Sequence, residues 1–214
     1  MTEATLPSEY DWKEATIPGG SSPVTLARLS LDRLSGASQS LVRFPAGWSR
    51  PVSGWYSADE EILVVEGSLQ MSGVTHRTGD YAYVPASYLR SSTTTEDGCL
   101  VLAWFSGKPI WQEDSHHGPG YDPARLVEVT WSELPIRSGP CGRGRCVREE
   151  GAASSWILTG EEPIRASSPV DLFSLADRTW TQGQAGTDIT DMTKPLFARL
   201  GGRGCGVDPG RVAP

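Results

Sequence analysis

Cysteine and histidine side chains are the first candidates for chemistry in this sequence, because both bind metals and cysteine also carries out redox reactions. The chain has four cysteines and three histidines among 214 residues. Cys141 and Cys146 enclose the sequence Gly-Arg-Gly-Arg, a gap that a zinc site allows. The adjacent His116 and His117 lack the spacing of a second ligand pair. We therefore expect a glycine- and arginine-rich surface loop around the two cysteines, with reduced thiols.

Short apolar runs separated by turn residues dominate the first half of the chain. The 24 glycines and 16 prolines recur between such runs, which favours many short strands over long helices. No helical periodicity intervenes, so the pattern predicts an all-β sandwich or barrel. The predicted strands of this half are Val24–Leu31, Ser40–Phe44, Glu61–Val65, Tyr81–Val84 and Leu100–Phe105.

The second half is also predicted to be rich in β-strands. Its predicted strands are Leu126–Trp131, Ser155–Leu158, Val170–Leu175 and Leu196–Leu200. Only Asp188–Met192 has the character of a helical turn. We accordingly expect a barrel with an N-terminal lead-in over residues 1–110 and a connector over 111–124. A second β-rich unit over 125–214 is expected to pack on the first.

Two segments of the first half place glycine, proline and glutamate residues at distinctive intervals. Gly47, Glu60 and Gly67 belong to the first segment, and Gly79 and Pro85 to the second. We expect Gly67 to permit a tight turn into the next strand. Pro85 should end its strand because it cannot donate a ladder hydrogen bond. In both spacings, residues 40–105 resemble the cupin superfamily, which implies a jelly-roll β-barrel with a ligand site at its mouth.

The sequence departs from the cupin pattern where the family has its metal-binding histidines. Counting from Gly47, the first two histidine positions fall on Ser53 and Trp55, and Arg90 stands at the third. Serine and tryptophan are poor ligands for divalent metals, and the guanidinium is a permanent cation that repels them. His76 is expected at the surface. We therefore expect no bound metal and no other cofactor.

The resemblance implies that Glu60 and Arg90 project into the space that a cupin metal would fill. A carboxylate and a guanidinium that close would pair by hydrogen bonds. Glu60 is the predicted general acid or base, and Arg90 the group that stabilises developing negative charge. The alternative is that the pair only fills a vestigial site.

Aromatic residues cluster in and beside the predicted barrel strands. They suit a pocket for a flat, apolar molecule with one anionic or carbonyl group, although aromatic side chains are also ordinary barrel filling. The predicted substrate-binding residues are Trp48, Trp55, Tyr56, Tyr83 and Trp104.

Charge and hydropathy exclude several classes of partner. The net charge is −7 with a sequence pI near 5.0, so the basic face of a nucleic-acid-binding protein is not expected. No run of apolar residues is long enough for a transmembrane helix. The first ten residues lack the basic and apolar regions of a signal peptide. We therefore expect a cytoplasmic protein that contacts neither nucleic acid nor membrane.

These observations predict a metal-independent enzyme that acts on a small organic molecule, as an isomerase, lyase or cyclase in specialised metabolism. The alternative is a non-catalytic cupin that binds or senses a ligand. The second half is either an eroded second cupin unit, which makes the chain a bicupin, or an extension. An extension could wrap the first barrel or build a homodimer contact.

Overall fold

The computed structural model describes residues 10–140, 142–151, 153–160, 163–189 and 192–201. Nearly all of its regular structure is β-strand, which confirms the predicted all-β class with a jelly-roll arrangement. The chain divides into two compact units. The first is Asp11–Glu128, and the described part of the second is Tyr10 together with the residues from Val129 onwards. The domain boundaries predicted from the sequence remain a prediction.

The first unit is built on a curled antiparallel sheet. Its strands are β1 (Trp12–Ala15), β2 (Val24–Leu31), β3 (Ser38–Phe44), β4 (Ser49–Arg50), β5 (Gly54–Tyr56), β6 (Glu60–Met71), β7 (Val74–Arg77), β8 (Asp80–Val84), β9 (Thr93–Thr94), β10 (Cys99–Phe105) and β11 (Trp111–Glu113). The strand order is β1-β2-β3-β10-β6-β8, and β5 pairs separately with β11. A short 3-10 helix, Pro123–Arg125, follows, and β12 (Val127–Thr130) lies at the junction with the second unit.

Strand β6 changes partners along its length. The first half of β6 pairs with β10 and β8, whereas its second half pairs with β7 and β9. The register of β6 against β10 shifts between Val64 and Glu66, and Gly67, with a φ of 77°, follows directly. A Cβ at this position would lie 2.3 Å from the carbonyl oxygen of Gly98. Gly67 therefore permits a bulge within one strand, and the predicted tight turn at this residue was wrong.

The inner face of this sheet forms the apolar core of the first unit. Side chains of a strand alternate between its two faces, so every second residue of β3, β6 and β10 points inward. Val42, Ile62 and Val101 belong to this buried cluster. The outer face is buried as well, and it includes the polar side chains of Gln39 and Glu61.

The second unit contains another antiparallel sheet. Its strands are β13 (Ile136–Gly139), β14 (Gly142–Glu150), β15 (Ala153–Gly160), β16 (Ile164–Arg165), β17 (Val170–Ser174), β18 (Trp180–Gly183), β19 (Asp188–Ile189) and β20 (Met192–Leu200), with a 3-10 helix at Trp131–Glu133. The strand order is β13-β14-β15-β20-β17-β18, and β16 pairs with β19. A core that includes Trp156, Val170 and Ala198 lies on one face of this sheet.

Three local predictions differ from the structure. Asp188–Ile189 is a strand rather than a helical turn, because it pairs with Ile164–Arg165. Cys146 lies inside β14 rather than in a surface loop, and Cys141 lies outside the described residues. The predicted connector contains the short strand β11. Within the part of the chain that the structure describes, no helix is long and apolar enough to cross a membrane.

Candidate active site

A cavity of about 390 Å³ opens on the inner face of the first unit. Most of its wall is apolar, because the inward residues of β2, β3, β6 and β10 are mainly aliphatic. This wall includes Val24, Leu26, Val42, Phe44, Ile62, Leu69, Met71, Val101, Ala103 and Phe105. A polar group of side chains also lines it, consisting of Arg50, Tyr56, Glu60, Arg90 and Thr93. The volume lies toward the lower end of the range for small-molecule sites, about 300–1,000 Å³.

Glu60 and Arg90 form a buried ion pair in the cavity wall. Glu60 opens β6, and Arg90 is held by two backbone hydrogen bonds with Gly54 of β5. Arg90 Nη2 donates to Glu60 Oε2 over 2.7 Å, and the two side chains are 1% and 14% exposed. Burial raises the pKa of Glu60, and the positive charges of Arg90 and Arg50 oppose part of that rise. The structure thus brings together the two predicted catalytic residues.

Close approach of backbone fixes the segment that holds Arg90. A Cβ on Gly54 would lie 2.2 Å from the carbonyl oxygen of Gln112 on the paired strand β11. Only glycine therefore lets β5 lie between Arg90 and β11 in this arrangement.

Arg50 is a second buried guanidinium in the same wall, and sequence reasoning missed it. Its Nη1 donates to the Tyr56 hydroxyl over 3.2 Å, and its Nη2 donates to Thr93 Oγ1 over 3.0 Å. The guanidinium carbon lies 3.9 Å from the centre of the Trp111 ring, a cation–π contact. Arg50 is only 4% exposed, and this burial lowers its pKa. The sequence feature that could have indicated Arg50 is its position between Gly47 and Glu60, within the first motif segment.

Tyr56 connects the two arginines. The guanidinium carbon of Arg90 lies 4.8 Å from the ring centre of Tyr56, and that of Arg50 lies 5.6 Å from it. The ring also makes edge contacts with Phe105 and Trp111 at centroid distances of 5.3 and 5.0 Å. Burial raises the pKa of the Tyr56 hydroxyl. Tyr56 is therefore a neutral, fixed partner of the charged side chains.

Trp48 is the second predicted substrate-binding residue that lines the cavity. Its indole Nε1 donates to the carbonyl oxygen of Ser22 over 2.9 Å, which fixes the orientation of the ring. The ring of Phe44 lies at a centroid distance of 4.7 Å in an edge-on arrangement. Trp48 therefore contributes a rigid apolar surface rather than a free donor.

The structure places the other three predicted substrate-binding residues away from the cavity. Tyr83 and Trp104 lie opposite Glu61 in the strand register, on the outer face of the sheet. Tyr83 there accepts a hydrogen bond from Arg125. Trp55 lies next to Tyr56 in β5, so its side chain points to the opposite side, where it packs beside Gly118.

His76 also differs from expectation. It lies in β7 and is 3% exposed, so the prediction of a surface residue was wrong. Its Nε2 lies 3.3 Å from Glu128 Oε1, and burial is the main cause that lowers its pKa. It is not among the residues that line the described cavity.

A family model described as a domain of unknown function, DUF4437, matches residues 3–108. No curated protein matches the sequence.

Solved structures match the chain over almost its whole length. A protein of Nostoc punctiforme that is proposed to be a dioxygenase matches with a TM-score of 0.78 and 16% identity, over 99% of this chain and 87% of that one. Protein YlbA of E. coli matches with a TM-score of 0.56 and 17% identity, over 92% and 85% of the two chains. A variant of the oxalate decarboxylase of B. subtilis matches with a TM-score of 0.53 and 12% identity, over 95% and 78%.

These neighbours are cupin-fold proteins. The chain has the cupin fold. The match to the Nostoc protein covers 99% of this chain, so it includes both β-rich units. At these identities the similarity establishes the fold, and the site has to be interpreted from the residues themselves.

The side chains present in this site do not fit a divalent metal. Beside the single carboxylate of Glu60 stand the guanidinium groups of Arg50 and Arg90 and the phenol of Tyr56, and the guanidinium groups are cations rather than ligands. Ser53, at a position expected for a ligand, donates from its hydroxyl to the carbonyl oxygen of Ser91. Among the described residues, no three His, Cys, Asp or Glu side chains are grouped closely enough to hold a metal ion.

Proposed function

We propose that this cupin is an enzyme that moves a proton on a small organic molecule held in the cavity, as an isomerase, lyase or cyclase that works without a metal. The proposal rests above all on the Glu60–Arg90 pair in the wall of an apolar cavity. We also propose that the enzyme acts in the cytoplasm, in specialised metabolism. This part of the proposal rests on the sequence expectations.

Glu60 is suited to the transfer of a proton. A general base works best when its pKa lies near the working pH. Burial raises the pKa of this carboxyl group above its ordinary value, which is the direction that a general base requires. The apolar wall around Glu60 also limits competition from water, which strengthens charge interactions within the cavity.

Arg90 is suited to stabilising the negative charge that develops when Glu60 removes a proton. Its guanidinium group supplies several hydrogen-bond donors in a fixed geometry, and it lies within hydrogen-bond distance of Glu60. When Glu60 removes a proton next to a carbonyl group, negative charge develops on the carbonyl oxygen. A fixed cation at that place stabilises the transition state more than the ground state.

The structural neighbours support small-molecule chemistry in general. They include an oxalate decarboxylase and a protein proposed to be a dioxygenase. The proposal departs from metal-dependent chemistry because two guanidinium groups stand around Glu60 in place of neutral ligands.

A second candidate function is a binding or sensor cupin that holds a ligand without converting it. The close contact of Glu60 with Arg90 favours this alternative, since an ion-paired carboxylate is less free to accept a proton. In that case the pair would only shape and charge the cavity.

Hydrogen–deuterium exchange on candidate compounds tests the proposal. The protein is incubated in D₂O with small 2-oxo acids and 1,3-dicarbonyl compounds, and the C–H signals are followed by ¹H NMR. Exchange that depends on wild-type protein and is lost in Glu60→Gln supports proton transfer. Binding of these compounds without any exchange would favour the sensor function.

A further inference from the structure

The polar end of the cavity carries more positive than negative charge. Two guanidinium groups, Arg50 and Arg90, face one carboxylate, Glu60. The short contact of Arg90 Nη2 with Glu60 Oε2 compensates one of the two cations. Among the described residues Arg50 forms no salt bridge, and it feels the charge of Glu60 only from a distance.

The surroundings of Arg50 hold it in place but do not neutralise it. Its contacts are the hydroxyl groups of Tyr56 and Thr93 and the face of Trp111, all of them uncharged. Tyr56 stays protonated because burial raises its pKa. An isolated buried cation is costly, so a fixed guanidinium of this kind is typical of a site that receives an anion.

Both arginines also carry one buried donor without a protein partner. The Nε atoms of Arg50 and Arg90 are both buried, and neither has a hydrogen-bond partner in the described part of the chain. Buried donors in native proteins are nearly always satisfied by protein, water or ligand. The guanidinium fork is suited to the two oxygen atoms of a carboxylate.

The remaining wall limits what kind of anion fits. Beyond the polar group it consists mainly of aliphatic and aromatic side chains, including Ile62, Leu69, Met71 and Val101. A phosphate dianion would leave charged oxygens against this apolar surface, which is costly. Arg28 also lines the cavity; the residue as a whole is exposed, although partial burial of its guanidinium group lowers its pKa.

We propose that the natural ligand is an organic monoanion, a carboxylate on a compact apolar body, and that Arg50 is the residue that binds its charge. This inference rests on the proposed function only in placing the ligand in this cavity. Arg90 then remains paired with Glu60, ready for chemistry on the apolar part of the same molecule.

Matched pairs of charged and neutral probes test the inference. Hexanoate and benzoate are compared with hexanamide and benzamide by calorimetry on wild-type protein, Arg50→Met, Arg50→Lys and the control Arg43→Met. Arg43 is an exposed residue on the other face of β3. Wild-type protein should bind each carboxylate about tenfold to a hundredfold more tightly than its amide. Arg50→Met should lose this preference, Arg50→Lys should keep part of it, and Arg43→Met should keep all of it.

Equal binding of acid and amide by wild-type protein, or an unchanged preference in Arg50→Met, overturns the inference. If Arg50→Met does not fold, the ¹⁵N–¹H signal of Arg50 Nε in wild-type protein decides. That signal should shift with hexanoate and not with hexanamide, and the absence of a shift overturns the inference. A carboxylate preference without deuterium exchange would instead contradict the proposed catalysis and leave the ligand class intact.

Discussion

Glu60 and Glu61 are neighbours in the sequence, but their carboxylates lie on opposite faces of β6. Glu60 lines the cavity and pairs with Arg90. Glu61 lies on the outer face and accepts a hydrogen bond from the Tyr81 hydroxyl over 2.8 Å. Both side chains are largely buried, so chemical type and burial do not distinguish them. The alternation of a β-strand alone decides which one faces the cavity, and this makes Glu61 a natural control for Glu60.

Replacing Glu60 and Glu61 separately should show that turnover depends on the carboxylate in the cavity and not on the one on the outer face. Glu60→Gln keeps the shape of the side chain but removes the proton acceptor, so turnover should fall by roughly a hundredfold or more with binding nearly unchanged. Glu61→Gln should leave turnover near the wild-type value. Deuterium exchange and ligand titration on both variants provide the measurement. Equal exchange by wild-type protein and Glu60→Gln would remove Glu60 from the mechanism.

The protein should be purified without a tightly bound transition metal. The cations of Arg50 and Arg90 lie where a metal would need neutral or anionic ligands, so we expect less than roughly one-tenth of an equivalent. Elemental analysis after purification without a chelator measures this content. A near-stoichiometric metal that survives dialysis would contradict the assignment of this site.

The strands of the first unit were predictable because their apolar runs are bounded by glycine, proline and aspartate. The runs at residues 24–31, 81–84 and 100–105 coincide with β2, β8 and β10 to within one residue. The face of each strand was not predictable. Both faces of the sheet are buried, so the sequence lacks the apolar–polar alternation that marks an inner face. Trp104 was expected to line the pocket, and the strand register places it on the outer face.

The charged part of the site was predicted only in part. Glu60 and Arg90 were predicted from their positions in the two motif segments. Arg50 depends on contacts with Thr93 and Trp111, which lie more than forty residues away in the sequence. Such contacts are set by the closure of the sheet, and no local pattern in a single sequence encodes them.

Filling the cavity should abolish ligand binding while the fold persists. Ala103→Leu adds bulk at a lining position in β10, and overpacking of this kind costs about 1–3 kcal/mol of stability. Leu102→Met, next to it on the outer face, is the control and should bind normally. Calorimetry with hexanoate and thermal unfolding of both variants measure the effect. Normal binding by a folded Ala103→Leu protein would place the ligand elsewhere.

His76 should make the first unit sensitive to mild acid. Its folded-state pKa is lowered from the ordinary 6.5, mainly by burial, although Glu128 opposes the shift. The unfolded chain therefore binds the proton more readily than the folded protein. Stability should fall as the pH decreases from about 6.5 through the lowered value. Denaturant unfolding between neutral and acidic pH should show this loss, and His76→Gln should reduce it. An identical pH profile for the variant would show that His76 is not responsible.

The Glu60–Arg90 pair should be strongly coupled in stability. Removing one member leaves the other charge buried without its partner, so Arg90→Met should cost about 3–5 kcal/mol. The double variant Glu60→Gln, Arg90→Met leaves neither charge, and it should recover a large part of that loss. Denaturant unfolding of the four proteins in a double-mutant cycle measures the coupling. Additive effects would show that the contact between Glu60 and Arg90 does not contribute to stability.

The same cycle has a definite pH dependence. Burial raises the folded-state pKa of Glu60 above the ordinary 4.5. Between these two values the folded protein binds a proton that the unfolded chain does not. Wild-type stability relative to Glu60→Gln should therefore decrease as the pH rises from about 4.5 through the raised value, and then level off. In Arg90→Met the decrease should extend to higher pH, because the cation that favours the ionised carboxylate is gone. A decrease that ends at the same pH with and without Arg90 would mean that Arg90 does not influence the proton on Glu60. The proposed division of labour between the two residues would then fail.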